Sequence, residues 1–469
     1  MPRPTQGQGG ATARRRPRPS HHRRAARPGG TAPARDTASA LESLLDAAAA
    51  EPAPPPRDFA QLGLPAPLVT TLARRGFTAP FAIQSRAMPD ALAGRDVLGR
   101  AQTGSGKTLA FGLAVIARLH ATGRPVVSTA PRALILTPTR ELANQVADEL
   151  APLAHSLDLR VAPIYGGAPM GRQVDRLRRG VDIVVATPGR LQDLLDQKVA
   201  TLAHIDVTVI DEADHMADLG FLPAVTKLLD RTPSGGQRML FSATLDRGVD
   251  RLARRYLTDP AAHAVAPSRA AVDAMDHRVF SVQPEEKVAV ASAIAVRPAR
   301  SLFFVRTKHG ADRLARQLSR AGAPAVAIHG NLNQNQRERA LRAFTSGHSR
   351  VLVATDVAAR GIHVDDVDLV VHFDPPNDHK DYLHRSGRTA RAGATGTVVS
   401  LVEPAQLRDV AKLHAAAAVT ATTSTVDPAH DDVLAVAASG EPVVATGPAP
   451  SSAVGGRVPQ ARRARRPRR

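Results

Sequence analysis

Short apolar runs rich in β-branched residues recur between helical stretches along most of this chain. Apolar strands separated by helices are typical of parallel sheets that are covered by helices on both faces. The runs are Ala133–Thr137, Ile183–Thr187, Val207–Ile210 and Met239–Phe241 in the first half, then Leu302–Val305, Ala325–Ile328, Val351–Ala354, Leu369–Phe373 and Thr397–Val402 in the second. The pattern predicts an α/β fold with two domains, one in each half.

The distribution of aromatic residues predicts the limits of the folded part. All eleven Phe and all three Tyr lie between Phe59 and Tyr382, and aromatic side chains belong mainly to cores. The segment Asp259–Ala274 is rich in Ala and Pro and is the best linker candidate. We predict a disordered Arg/Pro-rich tail (1–57, with a short helix over Ala40–Ala50), a first domain (58–260), a linker (261–274), a second domain (275–420) and a disordered Arg-rich tail (421–469).

The net charge of +19 is concentrated at the two ends of the chain. Residues 1–35 carry nine Arg and no acid, and residues 457–469 carry seven Arg and no acid. A polyanionic partner is the favoured explanation, and solubilising tails are the alternative. Cysteine is absent. The sequence contains no run of about 18 apolar residues, so no membrane span is predicted. These features fit a cytoplasmic protein without a membrane partner.

A glycine-rich segment lies between a strand-like stretch near Asp96–Gly99 and an apolar helix over Leu109–Leu119. The order of strand, loop and helix is the context expected of a phosphate-binding P-loop. Backbone N–H groups and the helix N-terminus would hold phosphate oxygens. Lys107 can reach the β- and γ-phosphates, and the Thr108 hydroxyl can bind Mg²⁺. The segment reads Ala101-Gln102-Thr103-Gly104-Ser105-Gly106-Lys107-Thr108.

Acidic residues follow the apolar run Val207–Ile210, as Asp211-Glu212-Ala213-Asp214. Carboxylates at the carboxyl end of a parallel strand lie at the edge of the sheet where ligands bind. Asp211 is placed to hold Mg²⁺ through water, and Glu212 to orient and deprotonate an attacking water.

A basic segment far along the chain, His384 to Arg391, offers positive charge for a phosphoryl-transfer transition state. Arg388 and Arg391 are three residues apart, so both can project from one helical face. Since they belong to the second half, their action as arginine fingers would require the two domains to close.

Further motifs surround these residues in a fixed order. Gly76-Phe77, Pro80 and Ile83-Gln84 precede the P-loop, with Phe59 upstream, and Ser242-Ala243-Thr244 follows the acidic segment. Across roughly Phe59–Val402 the sequence resembles the DEAD-box RNA helicases, bacterial type. The resemblance implies two tandem RecA-like domains, adenine stacking on Phe77, an adenine hydrogen bond from Gln84, and therefore ATP. It also implies that Ser242, Thr244 and His384 couple the nucleotide site to the domain interface.

The same resemblance implies contacts with RNA from both domains. Those expected in the first domain are Pro138, Arg140, Gly167, Thr187 and Arg190, and those in the second are His329, Gly330, Arg337 and Thr355. Glycine and proline let backbone amides approach phosphates, and arginine supplies charge. Such contacts with the backbone carry little sequence information.

Three positions depart from the family's pattern. His363 stands where the family has an Asp that binds the ATP ribose, after Arg360, which is expected on the nucleotide side. Ala390 replaces a Gly, which matters only if the backbone there requires a positive φ. Asn331 replaces a frequent Asp.

The resemblance implies an ATP-dependent RNA helicase that uses ATP and Mg²⁺ to unwind or remodel structured RNA locally. An ATP-gated RNA clamp or annealing chaperone uses the same motifs, and a DNA helicase is a less favoured alternative because fold alone does not choose the polymer. We expect a monomer that acts in the cytoplasm, with ribosome assembly or RNA decay as candidate settings. The excess of Arg over Lys and the abundance of Ala favour a bacterial source.

Overall fold

The structure, a computed structural model, describes residues 39–52, 57–101, 104–265, 275–359, 367–390 and 395–446. Within these ranges the chain forms two parallel β-sheets of seven strands each. In both sheets every pairing between neighbouring strands is parallel. The predicted α/β class with two domains is confirmed.

The first sheet has the strand order β3-β4-β2-β5-β6-β1-β7. Its strands are β1 (Val97–Arg100), β2 (Ala133–Leu136), β3 (Val161–Ile164), β4 (Ile183–Ala186), β5 (Val207–Ile210), β6 (Gln237–Ser242) and β7 (Ala261–Ala264). Its helices are α1 (Ala40–Ala50), α2 (Ala66–Arg74), α3 (Ala82–Ala93), α4 (Lys107–Thr122), α5 (Arg140–His155), α6 (Met170–Arg178), α7 (Pro188–Asp196), α8 (Ala213–Asp218), α9 (Leu222–Leu229) and α10 (Arg247–Tyr256).

The second sheet repeats this topology, with the order β10-β11-β9-β12-β13-β8-β14. Its strands are β8 (Met275–Ser281), β9 (Ser301–Phe304), β10 (Ala325–Ile328), β11 (Val351–Ala354), β12 (Leu369–His372), β13 (Gly396–Val402) and β14 (Thr422–Thr425). Its helices are α11 (Lys287–Ala295), α12 (Lys308–Arg320), α13 (Gln334–Thr345), α14 (Asp356–Ala359), α15 (His379–Ser386), α16 (Leu407–Ala416) and α17 (Asp431–Ala437). Corresponding strands therefore carry corresponding loops in the two domains.

The central strands are buried along their whole length, which explains their apolar sequences. All four residues of β2, β4 and β5 are buried, as are those of β9, β11 and β12. Apolar side chains on the two faces of each sheet belong to separate hydrophobic clusters beneath the helices. The loops that leave the carboxyl ends of these strands are fixed in position by this core.

The predicted boundaries of the first domain are wrong at both ends. Helix α1, assigned to the tail, buries Leu45 and Ala48 in the first core, and Arg86 donates to its terminal carbonyls of Ala48 and Glu51 at 2.8 and 2.6 Å. Strand β7, assigned to the linker, pairs with β1. Both elements are rich in alanine and lie at one edge of the sheet, so they lack the apolar β-branched pattern of central strands.

The predicted boundary of the second domain at residue 420 is also wrong. Strand β14 pairs with β8, and α17 buries Val433 and Val436 in the second core. The sequence of β14, Thr-Thr-Ser-Thr, is largely exposed at the sheet edge. Because the strand is largely exposed, its residues need not be apolar. The apolar pattern therefore did not predict it.

Strands β3 and β8 were missed for related reasons. Pro163 interrupts β3, which an edge strand tolerates because one row of its N–H groups has no partner strand. Strand β8 carries the polar residues Asp276, His277 and Arg278 near its start, and Asp276 is exposed there. The tail segments 1–38, 53–56 and 447–469 and the linker segment 266–274 lie outside the described residues. In the part that the structure covers, no helix combines the length and apolar character needed to cross a membrane.

Candidate functional site

Three adjacent strands of the first sheet, β5, β6 and β1, bring the phosphate-binding and acidic segments together. The P-loop follows β1, the acidic segment follows β5, and Ser242 ends β6 between them. The carboxyl ends of parallel strands meet at one edge of a sheet, so the order of the strands alone places these segments side by side.

The P-loop depends on glycine at two positions where the backbone is left-handed. Gly104 and Gly106 both have a φ of 84°. A Cβ at Gly106 would lie 2.5 Å from Gln84 Nε2 and 2.6 Å from the Phe81 ring, so a side chain is excluded there. Lys107 begins α4, and its buried ammonium donates to the Ala101 carbonyl at 2.5 Å. The lysine is thus held inside the loop where phosphate oxygens would bind.

The surroundings of the two carboxylates after β5 shift their pKa values in opposite directions. Burial raises the pKa of Asp211 to about 7, although the charge of Lys107 acts in the other direction. Burial also acts to raise the pKa of Glu212, but the hydrogen bond and electrostatic interaction with His215, with smaller effects of Lys107 and Arg388, lower it to about 2. Glu212 Oε2 and His215 Nδ1 are 3.1 Å apart. Glu212 is therefore a fixed, ionised carboxylate, as a group that accepts a proton from water must be.

The residues predicted to hold Mg²⁺ fit that ion. Thr108 and Asp211 line the same cavity, and both offer the oxygen ligands that Mg²⁺ prefers. Within the described ranges no group of three His, Cys, Asp or Glu could form a dedicated metal site. A site with few protein ligands suits Mg²⁺, because this ion keeps several waters and also binds the phosphates of the substrate. The raised pKa of Asp211 reflects a buried negative charge that a cation would compensate.

Gln84 joins the start of α3 to the P-loop. Its Oε1 accepts from the Phe81 N–H at 2.9 Å, and its Nε2 donates to the Gly106 carbonyl at 3.0 Å. The side chain is 1% exposed. Phe77 and the half-exposed Phe81 line the neighbouring end of the cavity. Of the two residues expected at adenine, Phe77 thus lines the cavity and Gln84 lies buried beneath Phe81 and the P-loop. Phe81 is a further apolar residue of the cavity that the sequence motifs did not indicate.

Asp214, the last residue of the acidic segment, binds the Ser242-Ala243-Thr244 segment directly. Its Oδ2 accepts from the N–H groups of Ala243 and Thr244 at 3.2 and 2.9 Å and from the Thr244 hydroxyl at 3.1 Å. Ser242 Oγ accepts from the Asp214 N–H at 3.2 Å. Two of the three predicted coupling residues, Ser242 and Thr244, are therefore attached to the segment that carries Glu212.

The second domain contributes Arg388 to the same site. A cavity of about 1000 Å³ is lined by the P-loop residues Gly104, Gly106, Lys107 and Thr108, by Asp211 and Glu212, and by Arg388. Arg388 is buried, and its charge acts on Glu212. His384 lies on α15, one turn before Arg388. The arrangement can stabilise negative charge that develops on a phosphoryl group between the two domains.

The residues expected at RNA in the first domain meet at the neighbouring strands β2, β4 and β3. Gly167, with a φ of 81°, packs so closely on the Arg140 guanidinium that a Cβ would collide with it. Arg190 Nη1 donates to the Ala168 carbonyl at 3.2 Å. Pro138 precedes α5, and Thr187 caps α7. Two arginines thus converge on one glycine loop at the same sheet edge.

The corresponding strands β9, β10 and β11 carry the residues expected in the second domain. His329 Nε2 lies 2.9 Å from Asp312 Oδ1, next to the exposed Gly330. Thr355 precedes α14. Arg337 donates to Glu141 Oε1 of the first domain at 2.6 Å. Its guanidinium therefore joins the two domains in this conformation, a partner that the sequence argument did not include.

Several predicted residues lie outside the described part of the chain: Gln102, Thr103, Arg360, His363 and Arg391. Two further residues emerge only from the structure. His215 positions Glu212, and Arg385 binds Asp356 through two nitrogens at 2.5 and 2.8 Å. His215 directly follows the acidic segment, and Arg385 lies inside the basic segment. The sequence therefore showed the two motifs but not which partners these residues bind.

The fold and this site define a protein of two tandem RecA-like domains with a P-loop site between them. The family model described as DEAD/DEAH box helicase matches residues 81–252, and that described as helicase conserved C-terminal domain matches residues 286–393. The yeast structure "S. cerevisiae Dbp5 bound to RNA and ADP BeF3" is 28% identical, with a TM-score of 0.71, and the match covers 81% of this chain and 98% of that one.

Two relatives from Arabidopsis thaliana extend the comparison. DEAD-box ATP-dependent RNA helicase 30 is 42% identical over 73% of this chain and 58% of its own length. DEAD-box ATP-dependent RNA helicase 20 is 38% identical over 76% of this chain and 72% of its own length. The chain belongs to the DEAD-box helicase family. It spans 58 to 66% of the length of the first curated relatives that it matches. Relatives from plants and yeast do not support the predicted bacterial type.

Proposed function

We propose that this protein is an ATP-dependent RNA helicase that couples RNA-stimulated ATP hydrolysis to local remodelling of structured RNA. The observation that carries the proposal is the shared cavity in which Arg388 of the second domain faces Lys107 and Glu212 of the first. Because the groups come from both domains, hydrolysis depends on how the domains are arranged. RNA that binds both domains can therefore control the chemistry.

Each group has a separate task in hydrolysis. Glu212 accepts a proton from the attacking water, whose oxygen forms a bond to the γ-phosphorus as the bond to the β-phosphate oxygen breaks. Lys107 and Arg388 stabilise the negative charge on the transferred group, and ADP and phosphate leave. Thr108, and Asp211 through water, would hold Mg²⁺, which would neutralise further negative charge on the phosphates. We assign Arg391 a role beside Arg388.

The nucleotide is ATP, held at its base by Phe77 and Gln84. We assign the backbone amides of residues 101–108 to the phosphates, and Arg360 and His363 to the ribose. A histidine at position 363 can accept a single hydrogen bond where an aspartate would accept more.

RNA binds along the carboxyl ends of the outer strands of both sheets. Its backbone contacts are Pro138, Arg140, Gly167, Thr187, Arg190, His329, Gly330, Arg337 and Thr355. Asp214 transmits the state of the nucleotide through Ser242 and Thr244, and we assign His384 of the second domain to the same coupling. Each ligand then raises the affinity for the other by the same factor.

The relatives support RNA as the polymer, since DEAD-box ATP-dependent RNA helicases 30 and 20 are named for it. A second candidate function is ATP-gated RNA clamping or annealing. The 16 Arg in the terminal segments favour it, because a high positive charge brings two RNA strands together without sequence preference.

We propose a monomer in the cytoplasm that acts on ribosome assembly or RNA decay. The Arg-rich, Ala-rich composition supports a bacterial source.

The test compares ATP turnover and strand displacement in the intact chain and in Glu212→Gln. We expect RNA, and not DNA of equal length, to stimulate turnover in the intact chain. Glu212→Gln should bind ATP and RNA normally and lose roughly 10²- to 10⁴-fold in turnover, as expected for loss of a general base. Displacement that needs ATP hydrolysis identifies a helicase, and strand joining that persists with a non-hydrolysable analogue identifies the annealing function. Full turnover in Glu212→Gln would remove this residue from its role.

A further inference from the structure

Helix α6 presents a row of arginines on one exposed face. Arg172 and Arg176 of α6 and Arg179, the C-cap residue that keeps a right-handed helical backbone, follow the spacing i, i+4 and i+7, which places them on the same side of the helix. All three are exposed, and no salt bridge joins any of them to another described residue. Asp175 is the one acid within residues 170–179. The face is strongly cationic, although it contributes no ion pair to the fold.

The helix is attached to the Gly166–Ala168 loop by a buried glutamine. Gln173 Oε1 accepts from the Tyr165 N–H and its Nε2 donates to the Tyr165 carbonyl, both at 3.0 Å. Gln173 is 4% exposed. Because both polar ends of its amide are bound to the residue before the loop, the loop and the arginine row are held in one fixed arrangement.

The arginine row continues the positive surface around that loop. Arg140 and Arg190 both contact the loop. From Arg172 to Arg179 the chain advances about 10 Å along the helix axis. Because α6 follows β3 and leads to the start of the parallel strand β4, this direction runs away from the carboxyl ends of the strands. At the far end of the helix Arg160 donates to the Arg179 carbonyl at 2.8 Å and adds a fourth guanidinium. A polyanion that leaves the loop in this direction meets successive positive charges.

We propose that Arg172, Arg176 and Arg179 bind phosphates of RNA that extends beyond the segment held at the Gly166–Ala168 loop. The inference rests on the proposed function, since the loop is a proposed RNA contact. The ligand is the sugar–phosphate backbone, which evenly spaced guanidinium groups recognise by charge without reading sequence. The face lengthens the RNA footprint and lies outside the hydrolytic site.

The experiment replaces the three arginines by glutamine in the full chain. Affinity is measured over a salt series for a short single-stranded RNA and for one twice as long. Each phosphate contact with a single strand contributes about 0.7 to the slope of log affinity against log salt, so the slope for the long RNA should fall by about 2. The short RNA should bind with unchanged affinity, and turnover at saturating RNA should stay at the level of the intact chain.

Two further variants serve as controls. Arg251→Gln, Arg254→Gln and Arg255→Gln remove the same charge from the exposed end of α10, which lies toward the opposite edge of the sheet. This triple variant should keep the difference between long and short RNA. Asp175→Asn removes the negative charge beside the row and should tighten binding of the long RNA alone.

The outcomes separate this inference from the proposed function. If the intact chain neither binds RNA nor responds to it in turnover, both fail. If the intact chain responds to RNA but the α6 variant behaves like the α10 variant, the α6 face is overturned and the helicase assignment stands. An equal loss for short and long RNA would also overturn it, since the loop itself would then have changed.

Discussion

Asp214 and Thr244 are joined through one carboxylate oxygen, which accepts hydrogen bonds from the Thr244 N–H at 2.9 Å and from its hydroxyl at 3.1 Å. The pair connects the loop after β5, which carries Glu212, to the loop after β6. Hydrogen bonds to a charged group are stronger than neutral ones, and Asp214 is buried. A change at the γ-phosphate can therefore reach the second loop as a movement of this pair.

Thr244→Val removes the hydroxyl bond and keeps the backbone bond. We expect ATP turnover to remain within a few-fold of the intact chain, while the number of RNA strands displaced per ATP falls. Parallel assays of phosphate release and strand displacement measure that ratio. The matched control is Thr70→Val. The Thr70 hydroxyl lies on the exposed face of α2 and donates only to the Ala66 carbonyl in the same helix. An unchanged ratio in Thr244→Val would argue against coupling through this pair.

Arg388→Ala removes the positive charge that the second domain brings to Glu212. Arginine fingers contribute roughly 10³- to 10⁵-fold to turnover, so we expect a loss in that range with little change in nucleotide affinity. Single-turnover hydrolysis and nucleotide titration separate the two quantities. Arg342→Ala is the control, because Arg342 lines the same cavity with a side chain that is 73% exposed. Equal rates for the two variants would show that Arg388 does not act on the transition state.

Ala390 adopts a φ of 54°, the left-handed region in which glycine is favoured. The family's usual Gly at this position therefore has a backbone reason, and the alanine here is strained. A left-handed backbone costs an L-residue roughly 1–2 kcal/mol, and the greater unfolded-state freedom of glycine offsets roughly 0.5–1 kcal/mol. Ala390→Gly should raise the free energy of unfolding by about 0.5–1 kcal/mol in urea denaturation. Ala411→Gly, in the exposed middle of α16, should lower it by about 1 kcal/mol; a loss in both variants would contradict strain at Ala390.

The central strands could be predicted because full burial on both faces demands apolar β-branched residues. Three of the four edge strands, β3, β7 and β14, could not, whereas the fourth, β10, was predicted from its apolar run. Ala261–Ala264 and Thr422–Thr425 need only backbone pairing on one side, and their sequences resemble a linker and a tail. Their positions follow from the repeat of one topology in both sheets, which is a property of the assembled fold.

The site was predictable where residues that act together lie in one short motif. Lys107, Asp211 and Glu212 belong to such motifs, and the order of strands brings them to one edge. Pairings across the fold were not predictable: Arg337 meets Glu141 at a separation of 196 residues. That pairing depends on how two domains pack, which no local pattern encodes.

The terminal arginines predict a salt-dependent contribution to RNA affinity. Residues 1–35 and 457–469 supply 16 positive charges without an acid. Their removal should reduce the slope of log affinity against log salt, because fewer counterions are released from the RNA. Turnover at saturating RNA should change little, since the hydrolytic groups lie elsewhere. A shortened chain with the slope of the intact one would leave the terminal segments without a role in RNA binding.

The second domain contains three buried histidines around Tyr382 that predict a loss of stability in acid. His277 Nδ1 lies 2.7 Å from the Tyr382 hydroxyl, and the rings of His372 and His414 lie 5.0 and 4.7 Å from the Tyr382 ring. Burial lowers the pKa of all three imidazoles, that of His277 to about 4. The ordinary histidine pKa is about 6.5, so between about 6.5 and about 4 the unfolded chain binds protons that the folded domain does not.

Stability should therefore be complete above about pH 6.5 and should fall as the pH decreases toward about 4. Urea denaturation followed by circular dichroism across this range measures the dependence. His277→Gln removes one of the three groups, so the free energy of unfolding should vary less steeply with pH. His155→Gln, at an exposed helix end, is the control and should keep the steep dependence. If His277→Gln loses stability in acid as steeply as the intact chain, the protons that unfold the second domain bind elsewhere.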